Sequence, residues 1–417
     1  MNSLSPRPLR RVIYCASRDD HFRPPPGSMK LGFVLFDYFP FGGLERDCLR
    51  IAELCAEAGH EIAFFTRTWQ GEQPATMKVE LFGRHGVTIP ARNRHFVRQL
   101  ADALPSRALD GVIGFNKLPG LDVYYGADPC YAAALEAKPF WTRWLPRCRQ
   151  YVEYERAVFE RRARTVILQY IPRDIPTYKK FYGTEDRFHV LPPNARRHAF
   201  TAADQPAARR RVREQNGWSG DDLLMLFVGS DFQRKGLDRV IRALAALEPA
   251  LRGRTRLAVL GRSEAGRFAR LAGDLSVGNR VHFLGGRHDV PDWMLASDVM
   301  THPARSENTG SVLVEALSFG LPVLVTDVCG YAPHITTARA GRTFAEPFDQ
   351  AEFNRALQES LASGVLANWR SNAWAYADTG AIFGCHERAT EIILETIASR
   401  RKSDLPRKNA ENAKNES

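Results

Sequence analysis

At 417 residues the chain is long enough for about two domains, each with its own core. Its 44% hydrophobic and 25% charged residues exclude a disordered or low-complexity chain, and no apolar stretch reaches the roughly 18–20 residues of a membrane-spanning helix. A net charge of +11 calls for an anionic partner, but no helix-turn-helix, zinc-finger or RNP-like pattern accompanies it, which argues against nucleic acid. Seven scattered cysteines form neither a metal-ligand spacing nor a disulfide framework, as suits a reducing cytoplasm.

Residues 1–29 are rich in Arg and Pro and lack the apolar core of a signal peptide. Pro24-Pro-Pro-Gly stands just before Met29, so this segment reads as a disordered extension or as sequence upstream of the natural start. Leu31-Gly-Phe-Val-Leu-Phe36 then reads as a strand, followed by a loop with Gly42-Gly43 and an amphipathic helix from there to about Ala58. The two glycines let a phosphate or sugar approach the backbone, although an ordinary strand-to-helix turn would also use them. Neither G-x-G-x-x-G nor G-x-x-x-x-G-K-[ST] occurs, so a dinucleotide fingerprint and a P-loop are both unsupported.

Between Lys138 and Tyr151 the chain mixes Trp141, Arg143, Trp144, Arg147 and Arg149 with no acid. Membrane-surface segments have this composition, and so does a solvated loop and helix face. Apolar runs alternate with helical segments from 30 to 200 and again from 220 to 365, which predicts parallel sheets covered by helices. A linker is expected from Leu191-Pro-Pro-Asn194 through the Arg209–Arg213 cluster. Second-half strands are predicted near 223–229, 256–261, 281–285, 298–301 and 322–326.

The strand at 223–229 ends on a turn with two adjacent cations, Arg234 and Lys235, before a helix opening at Gly236. Residues after a strand's carboxyl end are the ones that meet ligands in an open α/β sheet. Arg grips phosphate oxygens in bidentate fashion and Lys acts as a point charge. Further on, Glu307-Asn308-Thr309-Gly310 leads into a helix that contains Glu315. The N-terminus of such a helix can hold a diphosphate, while the two carboxylates suit hydroxyls. One acid for a sugar and one for a ribose, with a diphosphate between, describes a nucleotide-sugar site. Taken alone, the spacing also fits a capped amphipathic helix with one exposed and one buried glutamate. No D-x-D occurs, so no metal and no other cofactor is expected at the diphosphate.

The Gly-Gly loop, the Arg-Lys pair after a strand and the E-x7-E spacing together resemble the retaining glycosyltransferases of the group 1 class. The strings Tyr38-Phe-Pro-Phe-Gly-Gly-Leu44, Gly114-Phe-Asn-Lys-Leu-Pro-Gly-Leu-Asp-Val-Tyr-Tyr125, Phe227-Val-Gly-Ser-Asp-Phe232 and Val328-Cys-Gly-Tyr331 are similar to those of the branch acting on the lipopolysaccharide core. The resemblance covers roughly residues 30–395. It implies a GT-B fold, α/β, with two Rossmann-like domains facing across a cleft. The expected divisions are an acceptor domain at 30–194, a donor domain at 195–380, a helix at 381–398 returning to the first domain, and a disordered tail at 399–417.

The resemblance also implies glucose transfer from UDP-glucose to an inner-core heptose of a lipid-linked acceptor. The enzyme would be peripheral on the cytoplasmic face of the inner membrane. Arg234 and Lys235 would bind the diphosphate, Glu315 the ribose, and Glu307 with the amides of Asn308, Thr309 and Gly310 the sugar. Gly42 and Gly43 would line the same site, with Asp47 on the acceptor side. Two departures from the wider class stand out: Asn116 and Lys117 occupy the region of a common histidine, and Asn308-Thr309 replaces a small or apolar pair. A different UDP-sugar or acceptor, or a UDP-sugar epimerase on the same fold, is the alternative. Front-side attack and double displacement both satisfy retention.

Overall fold

The computed structural model describes residues 27–126, 128–184 and 186–415; most of the 1–29 extension therefore lies outside the described residues. Two parallel sheets are formed. The first contains β1 (Lys30–Val34), β2 (Glu61–Thr66), β3 (Lys78–Leu81), β4 (Gly111–Gly114), β5 (Val123–Gly126), β6 (Val166–Gln169) and β7 (Phe188–Val190). Its strand order is β3-β2-β1-β4-β5-β6-β7. The second contains β8 (Leu223–Val228), β9 (Thr255–Leu260), β10 (Val281–Gly285), β11 (Val299–His302), β12 (Val323–Thr326) and β13 (Gly341–Phe344), in the order β10-β9-β8-β11-β12-β13.

Each sheet is buried on both faces because its central strands are largely apolar. In β8, Leu224 and Leu226 enter one core while Met225 and Phe227 enter the other. In the first sheet Leu31 and Phe33 face one core and Val34 the opposite one. Burying each such large side chain contributes about 1.5–3 kcal/mol. These are two doubly wound, Rossmann-like α/β units, as the sequence predicts. The sequence reading lacks β13, whose four residues include exposed Arg342 and lie at the sheet's edge.

Helix Gly43–Glu57 buries Cys48, Ile51, Ala52 and Cys55, a single stripe at helical spacing. That stripe shares a core with Ala389, Ile392, Ile393 and Ile397 of the last helix, Cys385–Asn415. The last helix thus returns to the first sheet, and Ile397 lies so close to Gly111 that a Cβ there would meet its Cδ1 at 2.5 Å.

Three boundaries differ from expectation. Met29 belongs to the first core, with its N–H donating to His60 Nδ1 at 3.1 Å. Arg209–Arg213 is not linker but part of helix Gln205–Gln215, which packs Ala208 and Val212 on the second core. Arg213 is 2% exposed and donates to Asp222 O, Ala296 O and Asp298 Oδ2. The final helix starts at Cys385 and runs unbroken to Asn415, across much of the segment expected to be a disordered tail. No helix among the described residues is long and apolar enough to cross a membrane.

Candidate active site

In an open α/β sheet, ligands bind outside the carboxyl ends of the strands where the strand order reverses. In the second sheet that point lies between β8 and β11, which pair directly through Met225–Val299 and Leu226–Met300. The segment after β8 carries Arg234 and Lys235; the segment after β11 carries Glu307. Adjacent strands therefore bring together residues 72 positions apart. Lys235 Nζ donates to Glu307 Oε2 at 2.5 Å, and Arg234 Nη1 lies 3.2 Å from the same oxygen. Arg305 ties the two segments together, donating to both oxygens of Asp238 at 2.8 and 2.7 Å and to Gln233 O.

Glycines make room for this geometry. A Cβ on Gly229 would fall 2.1 Å from Lys235 Cδ, so the bare backbone leaves space for the lysine stem. Gly310 and Gly236 precede their helices with φ of 76° and 77°, a left-handed conformation that other residues adopt only at a cost. Gly310 opens helix Ser311–Ser318, whose first N–H groups lack intrahelical partners. Gly330 N–H donates to Asn308 O at 2.9 Å and Tyr331 N–H to Thr309 O at 2.8 Å. Residues 328–331 thus buttress the segment that follows Glu307. A Cβ on Gly330 would meet Asn308 O at 2.4 Å, so this close contact requires glycine.

The two glutamates sit in opposite environments. Burial pushes the Glu307 carboxyl up, but the nearby His302 ring, the hydrogen bond from Lys235 and the charges of Lys235 and Arg234 outweigh it and hold the carboxyl well below its usual range. Glu315 lies on the fifth residue of its helix, and burial raises its pKa against the opposing charges of Arg196 and Arg46. Its carboxylate makes no side-chain hydrogen bond among the described residues, leaving its acceptors open. His302, the last residue of β11, is fully buried with its Nε2 3.8 Å from Glu307 Oε2; burial lowers its pKa.

The first domain supplies the opposite wall. Gly42 caps helix Gly43–Glu57, and a Cβ at Gly43 would meet nothing within 4 Å, so that position faces open space. Asp47 is fixed through both oxygens: Oδ1 lies 2.8 Å from His386 Nε2, and Oδ2 accepts from Tyr125 Oη at 3.1 Å. Arg173 crosses between the domains, donating to Asp327 O at 2.9 Å and Glu307 O at 3.3 Å.

Asn116 and Lys117 serve the scaffold. Asn116 Oδ1 accepts from Phe36 N–H at 2.7 Å, and Lys117 donates to Glu155 Oε2 at 2.5 Å and Pro129 O at 2.8 Å. Glu155 is wholly buried and also accepts from the amides of Tyr131 and Ala132. Cys329 is packed in the second core, and burial pushes its thiol up to about 12, which disqualifies it as a nucleophile at neutral pH.

Trp141, Arg143, Trp144, Arg147 and Arg149 lie apart from this cleft cluster, on the short 3-10 turn Phe140–Trp144 and helix Pro146–Phe159. Phe140, Trp141 and Trp144 are 77%, 56% and 74% exposed, so they do not cover the protein's own core. His302, Tyr125, Arg173 and His386 are the site residues that sequence reasoning missed. Only His302 carried a signal, standing five residues before Glu307 at the end of a predicted strand.

A fold of two doubly wound units with this cluster at its switch point defines a GT-B glycosyltransferase. Residues 208–375 match the family model for glycosyl transferases group 1. The chain is 41% identical to the lipopolysaccharide glucosyltransferase WaaG of Escherichia coli (strain K12), over 88% of this chain and 98% of that one. The crystal structure of WaaG, described as a glycosyltransferase involved in lipopolysaccharide biosynthesis, superposes with a TM-score of 0.73 at 40% identity, covering 87% of this chain and 99% of that one. The Anabaena protein Alr3699/HepE, crystallised with UDP, shares the fold alone: TM-score 0.62 at 18% identity, over 91% of this chain and 100% of that one. The chain belongs to the group 1 glycosyltransferase family that includes the lipopolysaccharide glucosyltransferase WaaG.

Proposed function

We propose that the protein transfers glucose from UDP-glucose, with retention at the anomeric carbon, to an inner-core heptose of lipopolysaccharide. The observation that carries this reading is the convergence of Arg234, Lys235 and Glu307 beside the open end of helix Ser311–Ser318. The name of the E. coli relative supports the choice of glucose and of a lipopolysaccharide acceptor.

In this reading the diphosphate lies between the helix end and the two cations. Glu307 anchors both cations and Asp231 holds the Nε side of Arg234, so the two cations stand fixed beside the positive helix end that faces the dianion. Glu315 accepts from the ribose hydroxyls, and its open carboxylate supports that role. Glu307 and the amides after it hold the glucose, facing Gly42 and Gly43. As the glycosidic bond breaks, negative charge grows on the leaving diphosphate, where Arg234, Lys235 and the helix end stabilise it most. Asp47, fixed by His386 and Tyr125, presents a carboxylate to the acceptor side. A front-side attack assisted by the leaving phosphate requires no enzymic nucleophile.

Positive side chains and a helix terminus here take the place of a metal's charge. Transfer is therefore expected to continue unchanged in EDTA; loss on chelation, restored by magnesium or manganese, would contradict this. The whole reading is tested with a panel of UDP-sugars and a heptose-containing core acceptor. Glucose transfer that depends on acceptor is expected, and interconversion of UDP-sugars without acceptor would overturn the reading.

A lipid-linked acceptor calls for a membrane-proximal enzyme, and we extend the proposal to the cytoplasmic face of the inner membrane. Residues 138–164 hold seven arginines and one lysine against three glutamates, next to the exposed Phe140, Trp141 and Trp144. Each basic residue near an anionic surface contributes about 1 kcal/mol. Sedimentation with anionic vesicles should show binding that weakens with salt and drops when Arg143, Arg147 and Arg149 become Ser. Equal binding to neutral vesicles would contradict this docking mode.

A further inference from the structure

The first domain carries a second concentration of basic groups. From Leu81 to Ala101 the chain has no acid, yet it holds Arg84, His85, Arg92, Arg94, His95 and Arg98. Two of these are engaged locally: Arg84 donates to Asp37 Oδ1 at 3.1 Å and Arg92 to Gly86 O at 2.9 Å. The other four surround a hollow of about 300 Å³, whose remaining lining is Gly86 and Ala91. Arg94 and Arg98 stand one turn apart on helix Ile89–Ala103, and the rings of His85 and His95 are 4.7 Å apart. None of the four makes a hydrogen bond or ion pair among the described residues. Glu153 on the neighbouring helix lines a different hollow.

The hollow is held in place. Phe82 N–H donates to Thr66 O and Gly83 N–H to Arg67 O, each at 3.0 Å, so the loop before the helix is docked on the segment after β2. Asp37, which anchors Arg84, also accepts from Arg67 and begins the loop that carries Gly42-Gly43. The hollow therefore begins at the carboxyl-end edge of the first sheet, the edge from which the helix carrying Asp47 also starts. The helix carrying Asp47 packs on one face of that sheet and helix Ile89–Ala103 on the other, so a ligand that reaches both passes over the strand ends. Four nitrogen-bearing side chains around a hollow with no carboxylate suit a group with several anionic oxygens. A merely solvated basic face would need neither the hollow nor the docked loop.

We propose that this hollow binds a phosphate ester of the saccharide acceptor, away from the hydroxyl that receives glucose. The inference rests on the acceptor reading above and adds a determinant of acceptor choice to it. It makes the acceptor an oligosaccharide that spans from Asp47 to the end of β3.

The test compares a core oligosaccharide acceptor carrying phosphate with the same acceptor after enzymatic dephosphorylation, in detergent without vesicles. The wild type should show an acceptor KM about tenfold lower for the phosphorylated form. Arg94→Ser with Arg98→Ser should abolish that preference while leaving kcat and the KM for UDP-glucose unchanged. Arg94→Lys with Arg98→Lys, which keeps the charge, should retain most of it. Equal KM values in the wild type, or an undiminished preference in the Ser variant, would overturn the proposal. So would an effect of the Ser variant seen only when anionic vesicles are added, because the hollow would then serve a lipid headgroup. Absence of transfer to either acceptor by the wild type would instead sink the glucosyl-transfer reading, and this inference with it.

Discussion

Lys235→Ala is expected to lower glucose transfer by about a hundredfold or more, equivalent to about 2.7 kcal/mol of transition-state stabilisation. Its ammonium lies 2.5 Å from Glu307 and its side chain is 14% exposed, so its charge acts in a partly dried site. Lower effective dielectric strengthens the interaction with a developing anion. Arg234 remains in the variant, 40% exposed and shared with Asp231 and Ser306 O, and is poorly placed to substitute. Thermal melting should change little, because Lys235 lies in a loop outside both cores. A near-wild-type rate in a folded variant would remove Lys235 from the donor site.

The two glutamates should separate kinetically. Glu315→Ala should raise the KM for UDP-glucose by about tenfold or more, the loss of one charge-assisted hydrogen bond, with kcat nearly unchanged. A ribose bond made equally in ground and transition states affects binding alone. Glu307→Ala should mainly lower kcat, by about a hundredfold, because it removes contacts to the sugar that changes shape and frees Lys235 and Arg234 from their shared anchor. Donor KM should not rise in parallel, since both cations remain for the diphosphate. Identical kinetics for the two variants would contradict the division of roles.

Much of this was readable from residues that lie close in sequence. β8 is a run of apolar residues followed by a turn with two cations, and the helix carrying Glu315 follows a glycine, so local pattern sufficed. Switch-point topology then explains why Lys235 and Glu307 meet, which neither motif states alone. What escaped were contacts with no local trace. Asp47 and His386 pair across 339 positions, and Arg173 reaches Glu307 O across 134. Arg213 resembled an exposed linker cation until burial against Asp222, Ala296 and Asp298 placed it inside the second domain. The final helix continues past Ser399 through polar sequence, where hydrophobic periodicity gives no sign of it.

The central claim is that this cleft transfers glucose from UDP-glucose with retention. One reaction tests it most directly: purified protein, UDP-glucose and a heptose-containing core acceptor, with the product's new linkage read by proton NMR. The account predicts a single added glucose in the α configuration of the donor. A β-linked glucose, or a product formed only with a different UDP-sugar, would contradict it.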